Sequence, residues 1–267
     1  MRSRTILLSN DDSVHAPGLH ILAAELRKFA KVVVVAPLEE KSTTGHSLTL
    51  HKPLRLIEIA KDVYGVSGSP ADCVYVGIRK VLKSKPDLIV SGPNRGANLG
   101  QDVYYSGTVS AAREACMMGI SSLAVSLCID FNKSHKDSAL NYLSAARWTS
   151  RLIKDFKDLE LPHHTMLNLN VPDLPFKKIR GLVLARQGFR HYSGDVVERT
   201  DHRGKPYYWV GGQYQGFKKD PGTDCDVVER GYASLTPIKL DATDSVYLAQ
   251  LSKRFDLPPM QNSRSKR

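Results

Sequence analysis

The chain has 267 residues, 42% apolar and 24% charged, enough to bury a substantial core in one α/β domain. Its formal charge is +11, yet residues 252–267 alone carry a net +4, so much of the excess sits in a terminal tail; with no interleaved aromatics, no nucleic-acid partner is expected. No apolar run nears the ~18 residues that span a bilayer, and the apolar piece at residues 5–8 is too short for a signal peptide, so a cytoplasmic protein with no membrane contact is expected. Cys73, Cys116, Cys128 and Cys225 form no CxxC pair and read as buried free thiols.

Residues 5–8 form the first expected strand. Ala16-Pro17-Gly18 breaks the chain, and Leu19, Leu22, Ala23 and Leu26 then recur at helical spacing up to Phe29. Residues 32–36 are a run of valines closed by alanine, the pattern of a strand buried on both faces. Ser69-Pro70-Ala71-Asp72 places a capping serine before a proline and an acid, which starts a helix with Val74, Ile78, Val81 and Leu82 on its apolar face. Further strands are expected at 86–90, 122–127 and 166–171. Between them lie a helix at 108–118, stopped by Gly119, and a long amphipathic helix at 137–156 with Tyr142, Leu143, Ala146 and Ile153 on one side. Such alternation implies a Rossmann-like, doubly wound, mostly parallel sheet. After about residue 180 helical periodicity fades and glycines multiply. Residues 207–210 and 232–236 read as exposed or edge strands of hairpins, and 244–255 as a last helix. The expected organisation is a single domain over 1–267, with a core at 1–180 and a hairpin-rich extension at 181–267.

Doubly wound sheets bind ligands beyond the carboxyl ends of their strands, and four segments at such ends are unusually polar. Ser9-Asn10-Asp11-Asp12-Ser13 follows the first strand. Adjacent carboxylates repel unless a hard cation binds them, although Asn and Asp also simply favour turns. Ser42-Thr43-Thr44-Gly45 offers hydroxyl oxygens, or is an ordinary polar loop. The stretch from Ser91 to Gly100 holds three glycines and two asparagines, which permit close backbone approach to a ligand. Ser106-Gly107-Thr108 opens a helix, where free N–H groups and the dipole favour a phosphate, or where a serine merely caps. Their coincidence on one sheet edge suits phosphoryl chemistry with water as nucleophile. No HExxH, GxxxxGK[ST] or GxSxG motif is present. A haloacid-dehalogenase-type phosphatase would need Asp-x-Asp rather than adjacent aspartates, and a nucleic-acid module would not place two bare acids in a polyanion site.

The residues Ile6-Leu7-Leu8-Ser9-Asn10-Asp11-Asp12, His15-Ala16-Pro17-Gly18, Gly68-Ser69-Pro70-Ala71-Asp72, Ser91-Gly92-Pro93-Asn94 with Asn98-Leu99-Gly100, Tyr105-Ser106-Gly107-Thr108, and Pro221-Gly222-Thr223-Asp224 follow one another in an order that resembles the SurE survival-protein family. The resemblance runs from about residue 5 to 240. It implies a metal-dependent nucleotidase that hydrolyses nucleoside 5′- and 3′-monophosphates, and in some members short polyphosphate. It implies one divalent cation, Mg²⁺ or Mn²⁺, per subunit on Asp11, Asp12, Ser42 and Asn94, with phosphate held by Asn98, Ser106, Gly107 and Thr108. Asp11 and Asp12 are then the expected catalytic residues, orienting or deprotonating water. The resemblance also implies a homodimer or homotetramer assembled through the C-terminal extension. Two positions depart from the family pattern: Ser13 and Thr43 stand where glycine is usual, and Ser13 is expected to need a strained backbone or a different turn.

Overall fold

The computed structural model describes residues 4–130, 140–155 and 161–256. In chain order it runs β1 (Thr5–Ser9), α1 (Pro17–Leu26), β2 (Lys31–Pro37), β3 (Leu56–Ala60), β4 (Val63–Val66), α2 (Pro70–Val76), β5 (Leu88–Arg95), α3 (Gly107–Met117), β6 (Ser122–Cys128), α4 (Tyr142–Asp155) and β7 (Thr165–Pro172). It continues through β8 (Leu182–Leu184), β9 (Arg190–Tyr192), β10 (Val196–Thr200), β11 (Pro206–Val210), β12 (Tyr214–Phe217), α5 (Asp224–Glu229), β13 (Ala233–Lys239) and α6 (Ser245–Phe255). One sheet has the order β3-β4-β2-β1-β5-β6-β7-β13-β8. From β4 to β7 every neighbouring pair is parallel, while β3 and β13 run antiparallel to β4 and β7. The chain steps outward one way from β1 and the other way from β5. The crevice between these two strands is therefore the switch point where such sheets bind ligands.

The strand alternation explains why both faces are covered. Ile6, Leu8, Val32 and Val34 pack with α1 and α4, whereas Leu7, Val33, Val35 and Ile89 pack with α2 and α3. Each fully buried Leu or Ile contributes about 1.5–3 kcal/mol, so the central strands are fixed in register and their carboxyl ends are rigid. Pro17 starts α1, whose Leu19, Leu22, Ala23 and Leu26 are buried as their spacing predicts, and the helix ends at Leu26. Ser69 and Asp72 close a reciprocal capping box on α2, which continues into a π-helical turn at Gly77–Val81.

Two expectations change. Residues 232–236 are no exposed hairpin strand: β13 lies between β7 and β8 in the main sheet, with Ala233–Thr236 buried. In α4 the buried face runs through Tyr142, Ala145, Ala146, Thr149, Leu152 and Ile153, and Leu143 points away from it at 44% exposed. The expected helix ends at 137–139 and 156 lie outside the described residues. A hairpin the sequence did not announce, β3–β4, extends the sheet beyond β2. The anticipated hairpin at 207–210 exists as β10–β11, a separate two-stranded sheet with all its residues exposed. Among the described residues no helix is long and apolar enough to cross a membrane, and all four cysteines are free.

Candidate active site

β1 delivers Asp11 and Asp12 to the switch point, and β5 delivers Asn94. A bulge between Ser91 and Asn94 against β6 lets the chain turn there. Gly92 is confined to glycine at this bulge, since a Cβ would lie 2.1 Å from the Val125 carbonyl oxygen and its φ is 123°. A cavity of about 770 Å³ opens over these strand ends, lined by Asp11, Asp12, Glu40, Ser42, Asn94, Asn98 and Ser106 among others. Six of the eight residues expected from sequence thus border one space; Gly107 and Thr108 stand directly behind Asp11 instead.

Asp11 is almost wholly buried. Its carboxylate accepts a hydrogen bond from the Thr108 hydroxyl, so that hydroxyl is directed at the acid. The helix start comes so close that a Cβ at Gly107 would lie 2.7 Å from the Asp11 Cβ; only glycine fits. Burial pushes the Asp11 carboxyl up, against the pull of Thr108. Asp12 accepts from the Arg95 backbone N–H at 3.1 Å. Burial, and next the charge of Asp11, push it up to about 7. Among the described residues neither acid is in a salt bridge.

The connection from β2 to β3 brings in the second side of the site. Ser42 is exposed and donates to Glu40 at 2.7 Å. Glu40 adds a third negative charge that raises both aspartates further; sequence reasoning missed it, although it lies only two residues before Ser42. This segment is tied down at several points. The Lys41 N–H donates to the Asp11 carbonyl and the Gly45 N–H to the Tyr105 carbonyl. His46 pairs with buried Glu114 of α3 at 3.0 Å, and Thr49 donates twice to Asp72 of α2. Ser13 and Thr43 hold φ of 97° and 58°, so both serve where glycine would be unstrained.

The segment from Asn94 to Ser106 forms the third side. Asn94 donates to the Gly96 carbonyl at 2.9 Å, which leaves its amide oxygen as the group to offer a ligand. Asn98 is buried, donates from its side chain to Ser126, and is gripped through its backbone by Asn168 and Asn170 of β7. Ser106 caps α3, accepting from the Val109 N–H while keeping its own proton to donate.

The outer wall was not legible beforehand. Gln101, Asp102 and Tyr105 of the site loop face Tyr192 of β9 and the Gly211-Gly212 turn. Arg190 pairs with Asp102, and Tyr192 donates to the same carboxylate at 2.5 Å. The Arg190 guanidinium also lies 4.2 Å from the Tyr214 ring centroid. Eighty-eight residues separate Arg190 from Asp102, so no local pattern announces the pair.

The donors suit a hard dication: two carboxylates, an amide oxygen and a hydroxyl, with no sulfur or imidazole. Further oxygens lie buried in and just beyond the strands that carry these residues. Ser9 and Ser91, paired across β1 and β5, have buried hydroxyls without partners among the described residues, and so does the side-chain oxygen of Asn10. Among the described residues no cluster of three or more His, Cys, Asp or Glu could hold a metal.

The chain's likeness to known proteins agrees with this geometry. A family model described as Survival protein SurE matches residues 6–194. The 5′-nucleotidase SurE of Geobacter sulfurreducens is 49% identical over 246 residues, 92% of either chain. That of Geobacter metallireducens is 48% identical over 255 residues, 96% of this chain and 98% of its own. The crystal structure of the SurE protein from Aquifex aeolicus superposes with a TM-score of 0.81 at 39% identity, covering 94% of this chain and all of that one.

Proposed function

We propose, from the premise that the chain belongs to the survival protein SurE family, that it is a 5′-nucleotidase hydrolysing nucleoside monophosphates to nucleoside and phosphate with a divalent cation. The observation that carries this reading is the pair of buried Asp11 and half-buried Asp12 facing a cavity of about 770 Å³ beside the start of α3. One Mg²⁺ or Mn²⁺ per subunit would be held by Asp11, Asp12, Ser42 and Asn94. The chemistry such a cation supplies when bound is polarisation of a phosphoryl oxygen and a lowered pKa for nearby water.

The chain's own groups do the rest. Ser106 donates its hydroxyl proton to a phosphate oxygen, and the N–H of Gly107, free of any intrahelical partner at that position, adds a second donor. Asn98 lines the phosphate end: one side-chain N–H is spent on Ser126, and the second is left to donate to a phosphate oxygen. Thr108 holds Asp11 and thereby keeps one face of the acid pair fixed. Asp12 is the better placed of the two acids to orient the attacking water and take its proton, because it is the more open to the cavity while Asp11 is almost wholly buried. These contacts read the phosphate rather than the ester position, which supports hydrolysis of 3′-monophosphates and short polyphosphate as well. A phosphate-release screen over 5′- and 3′-nucleotides and polyphosphate, with each cation and with chelator, tests the reading. No release from any nucleotide under any condition would end it.

We also place the protein in the cytoplasm, as the free thiols suggest, and assign it a homodimeric or homotetrameric state through its C-terminal third. Tyr208, Trp209 and Val210 on β11 and Val246, Leu248 and Phe255 on α6 are all exposed. Exposed large apolar groups on each of these two elements favour burial against another copy of the chain.

A further inference from the structure

The Pro221-Gly222-Thr223-Asp224 motif takes no part in the site as described, yet Asp224 is fully buried. Its carboxylate accepts three backbone N–H bonds. One comes from Gly100 at 3.0 Å, one from Gly188 at 2.8 Å and one from Cys225 at 2.8 Å. Three distant stretches thus meet on one side chain: the site loop, the strand-free segment before β9, and the start of α5. The junction is too tight for side chains. Gly100 has φ of 55° and a Cβ there would lie 3.0 Å from the Gly188 carbonyl oxygen; a Cβ on Gly188 would lie 2.9 Å from the Asp224 carboxylate. Gln187 reinforces it by donating to the Gly100 carbonyl at 2.9 Å.

Gly100 stands two residues after Asn98 and opens the short 3₁₀ turn Gly100–Tyr104 that leads into Tyr105 and Ser106. Asn98 is anchored from β7; the turn beyond it is held at its first residue by Asp224 and Gln187, and further on by Arg190 and Tyr192. We infer that Asp224 is a positioning residue for the nucleotidase reaction, setting where Ser106 and the Gly107 N–H meet the phosphate. It acts through Gly100 without touching substrate or cation. This rests on the reading of the α3 start as the phosphate-binding end. A carboxylate suits the task because it can accept from all three N–H groups at once, with charge-assisted bonds. An amide turns a donor toward at least one of them.

The test compares Asp224→Asn with the wild type and with Asp226→Asn, an acid on the same helix whose carboxylate accepts from Gly222 and Arg230. Amide hydrogen exchange at Gly100 and Gly188 should accelerate about tenfold or more in Asp224→Asn, with β1 and β2 unchanged. The kcat for nucleotide hydrolysis per Mn²⁺-binding site, with Mn²⁺ affinity read by calorimetry, should fall about tenfold while that affinity stays within about twofold. Asp226→Asn should match the wild type in each readout. Unchanged exchange at Gly100, or unchanged kcat per site, overturns the inference; so does an equal loss in Asp226→Asn. Should Asp224→Asn not fold, Gly100→Ala keeps the carboxylate but crowds Gly188, and full kcat in that variant overturns the inference equally. Should the wild type release no phosphate, the nucleotidase reading falls, and exchange at Gly100 still decides whether Asp224 fixes the loop.

Discussion

Asp12→Asn should stabilise the protein in chelator at pH 8 and abolish its stabilisation by cation. In the folded protein Asp12 titrates at about 7, against an ordinary 3.8, because burial and the neighbouring Asp11 disfavour its charge. With the folded value above the unfolded one, the protonated carboxyl is the form that folding favours. Its contribution is complete below about pH 4, is lost as pH rises from about 4 to 7, and is flat above that. Three units at about 1.4 kcal/mol each would make about 4 kcal/mol, and partial contact with solvent reduces this to about 2–3 kcal/mol. Asparagine keeps an oxygen for the Arg95 N–H and removes the charge. Thermal denaturation in chelator should therefore show the variant gaining on the wild type as pH rises from 5 to 7, by several degrees at the plateau. Cation at about a hundred times its dissociation constant should raise wild-type stability by about 2.7 kcal/mol at pH 8 and leave the variant unmoved. A variant less stable than the wild type in chelator at pH 8, or a gap that ignores pH, would refute the electrostatic argument.

Other changes follow from single contacts. Thr108→Val removes the one side-chain donor to Asp11 among the described residues while keeping shape; kcat should fall about tenfold or more, and undiminished turnover would show that the bond is idle. Ser13→Gly relieves a φ of 97° but frees the unfolded chain, so denaturant unfolding should show a gain of about 0.5 kcal/mol with activity retained; a loss above about 1 kcal/mol would contradict it. Trp209→Lys on the exposed face of β11 should shift sedimentation toward smaller species without altering the fold, and an unchanged profile would remove that face from the interface.

What could be read from the chain was what local chemistry decides. The valines of β2 announce burial on both faces, and Ser69-Pro70-Ala71-Asp72 announces a capping box, because each signal is complete within a few residues. Asp11, Asp12, Asn94 and Ser106 could be picked out as candidates because each stands at the end of a recognisable strand or the start of a recognisable helix. The misses share a different cause. All five residues of β3 are exposed, so it shows no burial period to detect. Residues 232–236 look like an exposed strand until β7 and β8 cover them, and Leu143 was misjudged by one position on the helix circumference. Glu40, Arg190 and Tyr192 enter the site only through tertiary contacts, as do the three N–H groups gathered on Asp224.

The most direct test is phosphate release from a nucleoside 5′-monophosphate by wild type and Asp11→Asn, each metal-stripped and then titrated with Mg²⁺ or Mn²⁺, with folding checked by circular dichroism. Turnover should be absent in the stripped wild type and return with the added ion, while the folded variant stays silent at every concentration. Turnover that survives stripping, or a variant that recovers fully, would mean that the paired acids beyond β1 do not grip the ion on which hydrolysis depends.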